Sequence, residues 1–152
     1  MGGVSIVLAT YNGASYLNEQ IDSIIANTYT NWMIDICDDG STDRTLEIAQ
    51  EYQKQYPDKI RIFKNLEQLG VTRNFLEGAK RATGDYIMFL DPDDRYTPDA
   101  CEVLYNTIKK YDVDLAFARF RRIFEYGIIF LLPGLLFSDF SISVENITYE
   151  NI

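Results

Sequence analysis

Two short aspartate-rich runs carry the most evident chemistry: Asp38-Asp39-Gly40-Ser41-Thr42-Asp43 and Asp91-Pro92-Asp93-Asp94. Each follows an apolar run, Met33 to Cys37 and Tyr86 to Leu90. Asp91 and Asp93 place two carboxylates on one tight turn, and carboxylate oxygen is the natural ligand of Mg²⁺ or Mn²⁺. Magnesium commonly takes one or two protein carboxylates and fills its shell with phosphate oxygens and water. Pro92 narrows the backbone freedom of the turn before anything binds. The plainer reading is an acidic turn whose side chains cap neighbours of the next helix or face water. Asp38 and Asp39 suit a different partner. A carboxylate only accepts hydrogen bonds, whereas the imide N–H of uracil or thymine and the ribose hydroxyls donate them. Tyr11, in Ala9-Thr10-Tyr11-Asn12-Gly13 behind the first apolar run, offers an aromatic face for a base. Ser41 or Thr42 is also well placed to cap a helix starting near Asp43.

These runs need a frame that brings them together. Val4 to Ala9, Met33 to Cys37, Ile60 to Phe63, Tyr86 to Leu90 and Val113 to Phe120 read as short strands. Between them lie four helical stretches. In Tyr16 to Ile25, residues Leu17, Gln20, Ile21, Ile24 and Ile25 recur at helical spacing. Arg44 to Tyr56 is stopped by Pro57, Val71 to Ala82 ends near Gly84, and a fourth helix runs to about Tyr111. For that fourth helix Thr97 reads as the N-cap, with Pro98 at the first position and Asp99 in the first turn. Strands separated by helices pair in parallel, and strands buried on both faces read as continuous apolar runs. The expected fold class is therefore α/β: an open, mostly parallel sheet flanked by helices. In such a sheet the ligand crevice lies beyond the carboxyl ends of the strands, at a switch in strand order. Asp38, Asp39, Asp91 and Asp93 then face one edge, where carboxylates held close repel unless a cation or donor intervenes.

Composition narrows the function classes. The 152 residues are 47% hydrophobic and 24% charged, a globular balance with 11 Tyr and 9 Phe for a core. A net charge of −9 argues against a protein that grips nucleic acid by bulk charge. It leaves room for one phosphorylated small molecule, because a metal ion can bridge two negative partners. No histidine is present, which removes Ser-His-Asp and Cys-His catalysis and imidazole-based zinc sites. Cys37 lies in an apolar run and reads as a core thiol in a reducing compartment, with no metal spacing or expected bridge to Cys101. The N-terminus shows no basic region followed by an apolar one, so no secretory signal is expected. Gly127 to Phe137 is the most apolar stretch, yet it carries Pro133 and Gly134 and falls short of the ~20 residues a spanning helix needs. It reads as a partly buried strand and turn within a possible-hairpin segment Ile123 to Phe137 that follows Arg119, Arg121 and Arg122. A short helix is expected near Glu145 to Asn151.

With these residues in view, a family resemblance is plain. Val4-Ser5-Ile6-Val7 to Thr10-Tyr11-Asn12, then Asp38 to Asp43, then Gly84-Asp85-Tyr86-Ile87-Met88-Phe89-Leu90-Asp91-Pro92-Asp93-Asp94 resemble family 2 glycosyltransferases of GT-A fold. Asn18-Glu19-Gln20-Ile21-Asp22-Ser23-Ile24 is similar to the bacterial polysaccharide branch, rhamnosyltransferases included. The resemblance runs from about Val4 to Phe120. It implies an enzyme that transfers a sugar from a UDP- or dTDP-linked donor to a glycan or lipid-linked acceptor, with inversion and with Mg²⁺ or Mn²⁺. It implies that the Ala9 backbone, Thr10, Tyr11 and Asp39 hold the base and nucleoside, and that Asp38 supports that loop or reaches the nucleoside. Arg73 approaches the nucleotide or is a solvated helix charge. Asp91 and Asp93 hold metal and diphosphate, and Asp94 orients the loop or meets the sugar. Residues 1–120 then form the donor-binding core and 121–152 the start of the acceptor side. A cytoplasmic location is expected, with peripheral association at the inner membrane face for the full-length protein.

The chain departs from the pattern late. Inversion needs a general base on the acceptor side to take the acceptor's proton. Asp139, Glu145 and Glu150 are the late carboxylates, and none sits in a recognisable acceptor motif. The expectation is a truncated chain that binds donor without turning it over alone. The alternatives are a nucleotide-binding module or pseudoenzyme without a base, and a sugar-phosphate nucleotidyltransferase. The last would want a Gly-rich, basic loop after the first strand, where this chain has Thr10-Tyr11-Asn12-Gly13-Ala14.

Overall fold

The computed structural model describes residues 3–91, 93–118 and 142–145, in two compact units, Met1–Cys101 and Glu102–Ile152. The first unit alternates strand and helix: β1 (Val4–Thr10), α1 (Leu17–Ile25), β2 (Trp32–Asp38), α2 (Thr45–Gln55), β3 (Ile60–Lys64), α3 (Val71–Arg81) and β4 (Tyr86–Leu90). Its sheet is parallel throughout, in the order β3-β2-β1-β4. The α/β fold class is thus as the sequence implied. All seven residues of β1 are buried, because it is central and covered on both faces.

Register fixes the geometry of the rim. Thr10 pairs with Asp38, Asp38 with Lys64, and Leu8 with Leu90. The carboxyl ends of all four strands therefore reach one edge. The chain steps outward from β1 to β2 to β3 and then crosses to β4 on the other side of β1. That crossing places the switch point between β1 and β4, the position at which open α/β sheets bind ligands.

Burial follows helical and strand periods. Leu17, Ile21 and Ile24 of α1 and Ile48 and Ala49 of α2 face inward. α3 packs on β1 and β2 through Gly78, where a Cβ would lie 2.3 Å from Val7 Cγ1. Only glycine lets the helix come that close. Asp35, fully buried on β2, is directly opposite Arg61 on β3 and takes both Arg61 Nε and Nη2, at 2.7 and 2.8 Å. The bidentate fork satisfies a charge that burial would otherwise penalise heavily.

Several expectations are corrected. β4 alternates rather than being buried on both faces, with Ile87 42% and Phe89 54% exposed. Among the described residues it is one of the two edge strands of this sheet, so its apolar run reflects composition more than two-sided cover. Thr97 does not cap by its side chain: the hydroxyl donates to Asp99 Oδ1, its carbonyl takes the Ala100 N–H, and α4 starts later, at Ala100–Tyr111. The helix after β2 is as expected to within one residue at each end, Thr45–Gln55, with Asp43 accepting the Thr45 N–H at 3.0 Å.

In the second unit, β5 (Leu115–Ala118) pairs antiparallel with β6 (Ile142–Glu145) in a separate two-stranded sheet. The fifth strand therefore does not extend the parallel sheet. Glu145 ends a strand instead of opening a helix; the alternating Ile142 and Val144 suit a pleat better than a turn of helix. The rest of the expected helix, Pro92, Arg119 to Phe137, Asp139 and Glu150 lie outside the described residues. Among the described residues no helix is long and apolar enough to cross a membrane. Cys37 and Cys101 are both buried free thiols. Burial pushes the first up to about 11 and the second to about 12, so neither is a ready nucleophile.

Candidate functional site

The loops after β1 and β2 are laced together. Asn12, in the left-handed region at φ 49°, donates its N–H to Ser41 Oγ at 2.9 Å and accepts the Thr42 N–H at 2.9 Å. Gly13 N–H donates to Thr45 Oγ1 and Ala14 N–H to Asp43. Asp43 is held below the usual carboxylate range chiefly by the Thr45 hydroxyl, with the Thr45 and Ala14 N–H groups adding to it. Ser41 thus bridges two loops rather than capping a helix. Asp38, wholly buried, takes the Ser41 N–H at 3.1 Å, an arrangement that braces the loop from below.

Asp39 faces the other way. Only 3% exposed, it accepts Asn65 Nδ2 and the Leu69 N–H on Oδ1, and the Gly70 N–H on Oδ2, all within 2.9 Å. Burial alone would push its carboxyl up. The donors of Leu69, Asn65 and Gly70 outweigh burial and hold it below the ordinary value. Gly70 reaches Asp39 from a backbone at φ 81°, which disfavours any side chain. Asn65 Nδ2 also donates to Asn74 Oδ1, and Asn74 Nδ2 to the Cys37 carbonyl, both within 2.9 Å. Asp39 therefore pins the start of α3 to the end of β2. Among the described residues no second donor reaches Oδ2, and a carboxylate offers about four lone-pair sites.

The remaining predicted residues sit as follows. Ala9 and Thr10 are buried at the end of β1, and the Thr10 carbonyl takes the Asp39 N–H at 2.9 Å. Thr10 Oγ1 is buried and has no hydrogen-bond partner among the described residues. Tyr11 is 45% exposed at the rim. Arg73 is exposed in the first turn of α3, beside an open groove of about 460 Å³ with Leu69, Leu76 and Glu77. Asp91, Asp93 and Asp94 are exposed on the loop after β4. Its turn is closed by Asp94 N–H donating to the Asp91 carbonyl at 3.1 Å. Partial burial, then the charges of Asp93 and Asp91, raise the Asp94 carboxyl above the ordinary value. Two strand spacings, about 10 Å, separate β2 from β4. The structure thus brings the nucleoside and metal candidates to one rim on either side of β1.

Sequence reasoning missed Asn65 and Asn74, named Asn12 only as part of the first motif, and gave Gln20 only a place in a helical pattern. Asn74 and Gly78 form the buried side of α3, while Leu76 is exposed. A polar residue four positions from a glycine was the available signal. Among the described residues no set of three or more His, Cys, Asp or Glu groups converges to hold a metal. The donors of this loop are hard oxygens, and the charges of Asp93 and Asp91 add to burial in raising the Asp94 carboxyl. They fit a cation that takes one or two protein ligands.

The sequence pattern of Glycosyl transferase family 2 matches residues 5–131. This chain belongs to that family. It is 36% identical over 108 residues to EpsE of Bacillus subtilis (strain 168), covering 71% of this chain and 39% of that one. It is 34% identical over 113 residues to glycosyltransferase GlyA of Streptococcus pneumoniae serotype 4, covering 74% and 16%. The chain thus spans well under half the length of these relatives. Among solved structures, S. aureus TarS 1-349 in complex with UDP-GlcNAc is similar at TM-score 0.68 and 23% identity, covering 74% of this chain and 32% of that one. The mannosyltransferase PcManGT from Pyrobaculum calidifontis in complex with GDP-Man and Mn²⁺ is similar at TM-score 0.72 and 22% identity, covering 80% and 36%. The fold is that of GT-A glycosyltransferases. Family 2 membership gives the acidic rim its context: the two aspartate runs flank the switch point of a nucleotide-sugar transferase fold.

Proposed function

We propose that this chain is the donor-binding side of a glycosyltransferase. It takes a UDP- or dTDP-linked sugar, with Mg²⁺ or Mn²⁺, for inverting transfer to a glycan or lipid-linked acceptor. The observation that carries this reading is the shared rim: Tyr11 and Asp39 on one side of the switch point, Asp91, Asp93 and Asp94 on the other. The UDP-GlcNAc bound to TarS and the GDP-Man and Mn²⁺ bound to PcManGT support it.

In this reading Tyr11 stacks on the base, and the open acceptor position of Asp39 receives a donor from the base or ribose. Asp38 braces their loop. Arg73, fixed at the start of α3 by the Asp39 network, approaches the phosphates. Asp91 and Asp93 would hold the metal, which offsets charge gathering on the departing diphosphate. Asp94 orients this loop or meets the sugar. Residues 1–120 form the donor core, and the general base belongs to the acceptor side, with action in the cytoplasm or peripherally at the inner membrane face.

Calorimetric titration with UDP and dTDP, each with Mn²⁺ and then with excess chelator, tests this. Metal-dependent binding is expected. Binding indifferent to metal would keep the nucleotide pocket and remove the role of Asp91 and Asp93. A folded sample that binds neither nucleotide would overturn the donor-site reading for this chain.

A further inference from the structure

We infer that Gln20, on the buried face of α1, is a positioning residue for the carboxylates of the Asp91–Asp94 loop. The inference rests on the donor-site reading above. Its starting point is an anomaly of burial. Leu17, Ile21 and Ile24 make an aliphatic face on α1, and Gln20 sits among them with 2% exposure. A buried glutamine forfeits rotamer freedom and water, so it must be satisfied inside.

Gln20 Nε2 donates to the Asp91 carbonyl at 2.8 Å. The amide oxygen turned that way would face another acceptor, which fixes the orientation of the amide. The same carbonyl takes the Asp94 N–H at 3.1 Å, closing the turn that carries Asp93. Both lone pairs of the Asp91 carbonyl are then used. One ties the turn to itself and the other ties it to α1.

Gln20 heads a polar edge that continues down α1 at helical spacing. Ser23 Oγ donates to the Gln20 carbonyl at 2.7 Å and accepts the Tyr96 N–H at 3.1 Å. Asn27 Oδ1 accepts the Cys101 N–H at 3.0 Å, and its Nδ2 donates to the Thr97 carbonyl at 3.2 Å. Just past the helix, Thr28 N–H donates to the Pro98 carbonyl at 2.7 Å. The whole connection from Asp91 to Cys101 is thus stitched to α1, although some seventy residues separate the partners. Ser23 and Asn27 hold its far end. Among the described residues, Gln20 is the side chain of α1 that holds Asp91, the residue at which the acidic turn begins. Loops that bind a metal with few protein ligands depend on such outer contacts to hold the ligands in place.

The test uses Gln20→Met, which keeps the volume and removes the donor, and Gln20→Asn, whose amide is one methylene short. UDP affinity is measured with Mn²⁺ and with chelator, beside the melting temperature and the exchange rate of the Asp94 amide. The expected result is a metal-dependent gain in affinity that shrinks roughly fivefold, the factor one neutral hydrogen bond carries. Affinity in chelator stays within about twofold, and Asp94 exchange quickens. An equal loss with and without Mn²⁺ would mean a general packing role and overturn the inference, as would an unchanged metal-dependent gain. Should the wild-type chain bind UDP without regard to Mn²⁺, the metal reading fails on its own. Asp94 exchange then judges the tether: unchanged exchange in both variants refutes it, and faster exchange upholds it.

Discussion

Asp39→Asn separates the two jobs that the structure gives one carboxylate. Asp39 accepts Asn65 Nδ2 and the Leu69 and Gly70 N–H groups. The asparagine carbonyl can keep the Asn65 and Leu69 donors, without charge assistance. Its NH₂ then meets the Gly70 N–H, donor against donor. One charge-assisted bond is lost and two are weakened, so destabilisation of about 3 kcal/mol is expected at neutral pH. Because the folded-state carboxyl titrates below its ordinary value, its stabilisation is full above the unfolded value of about 3.9 and fades as pH falls through the folded one. The gap between wild type and variant must therefore narrow in acid. Urea unfolding at neutral pH and below about pH 3.9 measures both. Equal stability at neutral pH, or a gap that persists unchanged in acid, would refute the hydrogen-bond account. The ligand side is read separately: amide hydrogens would occupy the open acceptor position on Oδ2, so UDP binding should weaken alike with Mn²⁺ and with chelator.

Arg61→Met should destabilise by about 3–5 kcal/mol, because it strands the buried Asp35 charge. Adding Asp35→Leu should recover much of that loss in chemical denaturation, and failure to recover would mean that Arg61 acts by packing. Asp93→Ala should abolish the metal-dependent part of UDP binding and leave the melting temperature unchanged; an unfolded variant would instead mark the residue as architectural. Asp94→Asn should stabilise the chain near neutral pH. The folded-state carboxyl of Asp94 is raised, so its relative stabilisation is present below the unfolded value of about 3.9 and is lost as pH rises through the folded one. The advantage of the variant should accordingly vanish in acid, and an advantage that grows in acid would contradict the repulsion from Asp93 and Asp91.

The strand and helix order of Val4 to Leu90 was legible because each element shows its own period and each break carries a turn residue. The position of the acidic runs was legible for the same reason, since a parallel sheet sends every strand end to one edge. What Asp39 holds was not legible. Its donors lie 26 to 31 residues away, on a loop whose return to β2 no local pattern announces. The buried role of Asn74 was hidden in the same way, because helical spacing favours Phe75 and Leu76 for the inner face of α3. The apolar run of β4 suggested cover on both faces, but a run records composition and not whether the strand stands at an edge. The strand Ile142–Glu145 carried a period-2 signal too short to compete with a helical reading of the residues after it.

The rim divides its polar groups by whether their hydrogen-bonding capacity is already spent. Asp38, Asp43, Asn65 and Asn74 are engaged by protein partners across loops distant in sequence. Tyr11, Arg73, Asp91, Asp93 and Asp94 are exposed, and among the described residues no ion pair engages their side chains. The first group orders the loops when the chain folds, so that ordering is not charged against binding. The second group keeps its capacity for a ligand. Asp39 alone belongs to both. If the division is right, Asn74→Ala should lower stability and UDP affinity together, Tyr11→Ala should lower affinity while stability holds, and Asp39→Asn should do both by separable amounts. A Tyr11→Ala variant that unfolds, or that binds UDP unchanged, would remove Tyr11 from the ligand group.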